Sequence, residues 1–326
     1  MRPRIGVRVV LVTLCCASTA AWASGCSDDA GGGGGPPATA SDAAVDAPTI
    51  DDGPAADAGT DARVGRDCTK DDDLDGMKKH LDCTGLYQDF AAKVTAADVK
   101  TYSPALEFWS DGAEKQRFVY LPPGGKIDIA SFDEWTFPEG TKLWKEFKLD
   151  GKRVETRLYE KTASGSWRHT VYRWNDAETE AVRKEAGEKL APSGARTTTY
   201  EVPNTTQCNV CHDGRKEPVL GFDAIGLGLP GAKGVTLATL AAEGRFTSAP
   251  PKTALALPDD VGDGKAPAAI GWLHANCGSC HNASSGAAAL FTKPKLLVRP
   301  SELLGDADAG TAPERRAHAT ASARAT

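Results

Sequence analysis

Two five-residue segments carry the chemistry of this chain. Cys208-Asn209-Val210-Cys211-His212 and Cys277-Gly278-Ser279-Cys280-His281 both read C-x-x-C-H, the spacing of covalent c-type haem attachment. The spacing has a mechanical reason. Thiols three positions apart sit about one helical turn apart, so both can add to the vinyl groups of one porphyrin. The His that follows then points at the iron and supplies its proximal nitrogen. The expected cofactors are two haem c groups, held by Cys208, Cys211, Cys277 and Cys280, with His212 and His281 as proximal ligands. A zinc site or a redox thiol pair is the alternative chemistry for the same residue types.

The distal ligands are harder to assign. A six-coordinate haem of this kind pairs His with Met or with a second His. The chain has only Met1 and Met77, and neither follows a haem motif. Its histidines are 80, 169, 212, 274, 281 and 318. His274 lies 62 positions after His212, a sensible reach for a distal ligand, and equally reads as a surface residue beside Cys277. Met77 reaches a haem only if the N-terminal edge folds over it. His169 falls in a strand pattern and reads as structural.

Only 45 residues follow His281. Residues 292–304 still read as fold, but from 305 onward Ala, Thr, Arg and Asp follow without pattern. The second haem unit is therefore expected to be incomplete, through truncation or a shifted reading frame.

The elements that must position these motifs are read from the rest of the chain. Its 326 residues suffice for two ordinary domains, and a net charge of -6 points to neither nucleic acid nor an anionic membrane as partner. Residues 1–26 read as an export signal: Arg2, Arg4 and Arg8, then a short apolar run. Ala23-Ser24-Gly25-Cys26 resembles a lipoprotein cleavage box that would leave Cys26 lipidated. Ala21-Trp22-Ala23 would equally suit a general signal peptidase. The expected location is the cell envelope, periplasmic or at the outer surface, with membrane contact only through a lipid anchor. Residues 27–66 are Gly-, Ala- and Asp-rich, too poor in large apolar residues to fold, and read as a tether.

Cys68 and Cys83 are the unassigned pair and most simply form a disulfide in an oxidising compartment. Between them Asp71, Asp73, Asp75 and Gly76, with Asp82 at the twelfth position, fit part of a calcium loop. Lys78 and Lys79 argue for a plain acidic turn instead.

Residues 67–195 read as a β-rich domain. Strands are expected at 117–121, 142–149, 154–160 and 167–174, with Asp150-Gly151 as a tight hairpin turn. Trp144, Phe147 and Leu149 do not all fall on one face, which suits a sandwich or barrel covered on parts of both faces. Trp109, Trp135, Trp144, Trp167 and Trp174 concentrate here and are expected to be core. Residues 177–190 are polar with helix formers, and Asp176 would cap a surface helix. The first haem unit is placed at 196–265 and the second at 266–304, opened by a helix at 268–276.

The strings Phe108-Trp109-Ser110-Asp111-Gly112-Ala113-Glu114-Lys115, Trp135-Thr136-Phe137-Pro138-Glu139-Gly140-Thr141, Glu155-Thr156-Arg157-Leu158 and Tyr172-Arg173-Trp174-Asn175 carry a resemblance. So do both haem motifs, including Leu273-His274-Ala275-Asn276-Cys277. Over roughly residues 84–300 the chain resembles a family of exported bacterial diheme c-type cytochromes with an N-terminal β-rich region. The resemblance implies haem binding and electron transfer, with a redox partner protein of unknown identity.

The expected fold class is α+β: an antiparallel β-sandwich-like domain followed by a mainly α, cytochrome c-like haem region. An electron carrier is expected rather than a catalyst. The alternatives are a peroxidase-like haem enzyme with an open distal site and a non-haem zinc or thiol envelope protein.

Overall fold

The computed structural model describes residues 66–72, 75–192, 199–259 and 262–304. The signal and Cys26, the tether up to residue 65, Asp73 of the acidic loop, His318 and the tail from 305 lie outside the described residues. All described residues fall within one compact unit, so the expected boundaries at 195 and 265 lie inside it.

The organising element is one antiparallel sheet of seven strands. Its members are β3 (Lys100–Ser103), β4 (Glu114–Tyr120), β5 (Lys142–Leu149), β6 (Lys152–Lys161), β7 (Trp167–Trp174), β8 (Ala181–Arg183) and β11 (Lys233–Gly234), in the order β11-β3-β4-β5-β6-β7-β8. Two short hairpins flank it, β1 (Tyr87–Asp89) with β2 (Val94–Thr95), and β9 (Glu188–Leu190) with β10 (Tyr200–Val202). The helices are α1 (Thr205–His212), α2 (Ala224–Gly228), α3 (Leu237–Ala242) and α4 (Lys265–Cys277).

The strands at 142–149 and 167–174 form with the expected bounds. Asp150 and Gly151 turn β5 into β6 with φ of 50° and 76°, the left-handed values a tight two-residue hairpin requires.

Two expectations change. Among the described residues there is one large sheet, with two two-stranded ribbons beside it, rather than a sandwich of two packed sheets. Both its faces are covered, by different parts of the chain. Phe118, Trp144, Leu158 and Tyr172 face a core with Met77, Leu81, Leu86 and Tyr87 from the N-terminal edge. Val119 and Leu143, on the opposite face, pack against Val219, Phe222, Ile225 and Leu237 from the motif-bearing half. Trp144 therefore faces one core while Phe147 and Leu149 face the other, which accounts for the imperfect apolar pattern of β5; the register shift opposite Phe147 and Lys148 leaves Val154 of β6 as the extra residue.

Residues 177–190 are not a helix. They supply β8 and β9, and a turn at Asn175, whose Oδ1 accepts from the Thr179 amide at 2.9 Å, takes the place of the expected Asp176 cap. Pairing of Trp174 with Ala181 decides their conformation. The outer edge of β8 is covered by the N-terminal segment, where the Arg183 amide donates to Lys79 O at 2.8 Å and His80 bridges to Val182.

Trp144, Trp174 and Trp135 are buried as expected, but Trp109 is 70% exposed. Cys68 and Cys83 are joined in a disulfide with Cα atoms 5.2 Å apart. The described carboxylates of the acidic loop do not converge on a cation site. Asp71 accepts from His80 Nδ1 at 2.5 Å, Asp75 pairs with Arg183, and Asp82 pairs with Arg66 at 3.0 Å. Each carboxylate is committed to a different base. Among the described residues no helix is long and apolar enough to cross a membrane.

Candidate functional site

The two motifs are brought together. The first lies on α1, whose start is fixed by Asn204 and Gln207, each side chain bonding the other's backbone amide. His169 Nε2, on β7, donates to Thr205 O at 3.0 Å and ties this end of α1 to the sheet. The second motif begins at the last residue of α4 and continues as one more turn. The amides of Cys280 and His281 donate to Cys277 O at 3.1 and 2.8 Å.

The segments then touch. Cys280 Sγ lies 3.5 Å from Val210 O, and Cys280 is near enough to Cys211 to influence its thiol. A Cβ added at Gly214 would stand 1.8 Å from Ser279 O, and one at Gly286 would stand 2.0 Å from Asp213 O. Only glycine allows backbones this close. Asn282 is buried and donates to the carbonyls of Gly278 and Ser279 at 2.9 and 2.8 Å.

His212 is held firmly. Its Nδ1 donates to Pro218 O at 2.6 Å, and its ring stacks 4.2 Å from Tyr159, which also stacks on His169. Burial, with the Lys145 ammonium close by, holds His212 well below its usual pKa. The ring is therefore neutral and protonated at Nδ1, leaving the Nε2 lone pair for a metal. His281 Nδ1 lies 3.1 Å from Thr292 Oγ1. Burial pushes the Cys208 thiol up, and burial together with the Cys280 sulfur does the same for Cys211.

The distal candidates are placed elsewhere. His274 is buried in α4, where its Nδ1 accepts from the Val298 amide at 3.0 Å. A neutral ring so bonded carries its proton on Nε2, which gives His274 a structural role rather than a free lone pair. Met77 is buried on the sheet face opposite Tyr159 and His212.

Burial holds His274 down to about 4, against an ordinary 6.5. Between those values the unfolded chain binds more protons at this ring than the folded one. The stability that rests on the neutral ring is complete above pH 6.5 and is lost as pH falls to about 4. It amounts to about 3 kcal/mol. Denaturant titrations at a series of pH values should show this slope, and His274→Asn should flatten it.

The sheet under α1 has an uncommon charge pattern that sequence reading missed. In register across four strands stand Tyr102, Arg117, Lys145 and Arg157. Like charges directly opposite repel. Lys115 lies two residues along β4 on the same face. Of these cations only Arg157 pairs with a carboxylate among the described residues, Glu155, through two bonds of 2.9 and 2.6 Å. Burial and the neighbouring cations push Lys145 down to about 7 and Lys115 to about 8. Arg117 is 7% exposed, and its Nε has no partner; nor does the buried Tyr102 hydroxyl.

A cleft of about 10 Å³ separates this face from His212 and Pro218, room for about one water. A larger cavity of about 600 Å³ lies beside the second motif, between Ile270, Leu273, Leu297 and Arg215. Four of the six large apolar side chains exposed among the described residues (Trp109, Val210, Trp272 and Phe291) lie in or near the motifs in space or sequence. Trp109 reaches them through its amide, which donates to Asn276 Oδ1 at 2.7 Å.

These residues suit a covalently held porphyrin. Each motif offers two thiols and a His, His212 presents Nε2, and buried cations stand without anions beside it. The cleft at the first motif is narrow, so a porphyrin would fit there only if α1 parted from the sheet. No group of three or more His, Cys, Asp or Glu among the described residues is arranged to hold a metal ion. No family model, curated protein or solved structure matches the chain.

Proposed function

We propose that this protein is a diheme c-type cytochrome that passes single electrons in the cell envelope. The observation that carries the reading is the seating of two complete C-x-x-C-H segments against each other, with Cys280 Sγ 3.5 Å from Val210 O. When bound, haem supplies one-electron chemistry at its iron. The chain's own part is anchoring and placement. Cys208, Cys211, Cys277 and Cys280 fix the two groups by thioether bonds. The Pro218 carbonyl sets the tautomer and orientation of His212. Apolar side chains now in water, Trp109 and Trp272 among them, gain cover. A cytochrome c-like helical region is part of this proposal, with α1 and α4 carrying the motifs.

One observation favours a second reading, a haem with an exchangeable sixth position. Apart from His212 and His281, each described histidine is held within the fold through one ring nitrogen: His80 by Asp71, His169 by Thr205 O, and His274 by the Val298 amide. Small-ligand chemistry at one iron would follow from that.

The test is the intact mass of the chain expressed from residue 27 onward with c-type maturation machinery, beside a reduced pyridine spectrum. Two covalent haems are expected, and one after Cys208→Ala with Cys211→Ala. A colourless wild-type chain overturns the proposal. Tight cyanide or carbon monoxide binding to one haem selects the second reading.

A further inference from the structure

We propose that Arg117 and Lys145, with Lys115 at the edge, hold the propionate carboxylates of the haem carried by Cys208 and Cys211. The inference rests on the diheme reading and deepens it. Three cations, Arg117, Lys145 and Arg157, stand directly opposite one another on adjacent strands. Such a row is unfavourable unless anions neutralise it. On this face, among the described residues, the buried carboxylate that pairs with the row is Glu155, and it is taken by Arg157. Arg117 is buried with its Nε unbonded, beside the equally unbonded hydroxyl of Tyr102. An arginine left this way would receive a carboxylate well, because its planar donors match carboxylate geometry.

The direction along the row also fits. Cys208 packs with Tyr159, Phe147 and Tyr200 at the Glu155–Arg157 end of this face. Arg117 lies two strand spacings further across the sheet, about 9.6 Å. A porphyrin carries its propionates on the edge opposite its vinyl groups. With the vinyl edge tied at Cys208, the far edge is directed toward Lys145 and Arg117.

The haem-loaded full chain is compared with Arg117→Gln, Lys145→Gln and Arg117→Lys. Haem content should stay at two. One midpoint potential should fall, so that the reduced fraction of that haem at a fixed solution potential drops several-fold, while the other haem is unmoved. Its propionate bending band in resonance Raman spectra should shift, and Arg117→Lys should restore most of both signals. In the haem-free chain Lys145→Gln should raise the melting temperature, because repulsion is relieved.

Two haems with both potentials and the Raman bands unchanged would overturn the inference while leaving the diheme reading intact. A haem-free chain destabilised by Lys145→Gln would also overturn it, by making the row structural. A wild-type chain without haem would sink both readings together, and the intact mass tells that case apart.

Discussion

Replacing Glu155 with Gln is expected to lower stability by about 3–5 kcal/mol, the range for breaking a buried ion pair from one side. Glu155 has no solvent-exposed surface; it takes two bonds from Arg157 and one of 2.6 Å from the Tyr200 hydroxyl. Its loss leaves Arg157 next to Lys145 and Arg117 with no buried counter-charge. For a chain of this size the melting temperature should fall by about 6–10 °C. Glu155→Gln combined with Arg157→Gln should recover much of the loss, since the uncompensated charge goes too. Thermal melts of the four-member cycle measure this. A loss below about 1 kcal/mol, the range of an exposed pair, would show that the pair is open to water.

Gly214→Ala is the second large effect. The new methyl would need space that Ser279 O already fills, at 1.8 Å. Backbone cannot yield as a flexible side chain can, so the cost should reach about 3 kcal/mol, the upper part of the usual overpacking range. The motifs should also move apart. Mild oxidation of the haem-free chain by a small diazene, followed by peptide mapping, reports this directly. The wild type should yield a Cys211–Cys280 bond, two thiols giving up two electrons and two protons to the oxidant. Gly214→Ala should yield much less. Equal yields would mean that the close approach at Gly214 does not set the spacing of the motifs.

The long strands were legible because they are long and end in strong turn signals; Asp150-Gly151 alone fixes where β5 gives way to β6. The single large sheet was not. With both faces covered, Trp144 and Phe147 are apolar for different cores, and alternation cannot separate that from two packed sheets. Residues 177–190 misled because three-residue strands are too short to show a period, while Glu, Lys and Ala favour helix. The two motifs were plain from spacing alone, but their contact was not. Nor was the cation row: Arg117, Lys145 and Arg157 are distant in sequence, and only cross-strand register aligns them. The one available signal was basic residues inside otherwise apolar strands.

The pairing of β3 with β11 has a consequence in time. The strands β4 to β7 join neighbours in sequence and can assemble from local contacts. The outer edge of β3 must wait for residues 233 and 234, some 130 positions later. Closing so long a loop is slow, and an open edge invites pairing with other chains. A chain emerging from its N-terminus therefore presents the thiols at 208 and 211 while that edge is still bare. The interval before β11 docks is when the first motif is most accessible and the sheet most exposed to misassembly. The rate at which the last hundred residues arrive would then govern how cleanly this protein matures.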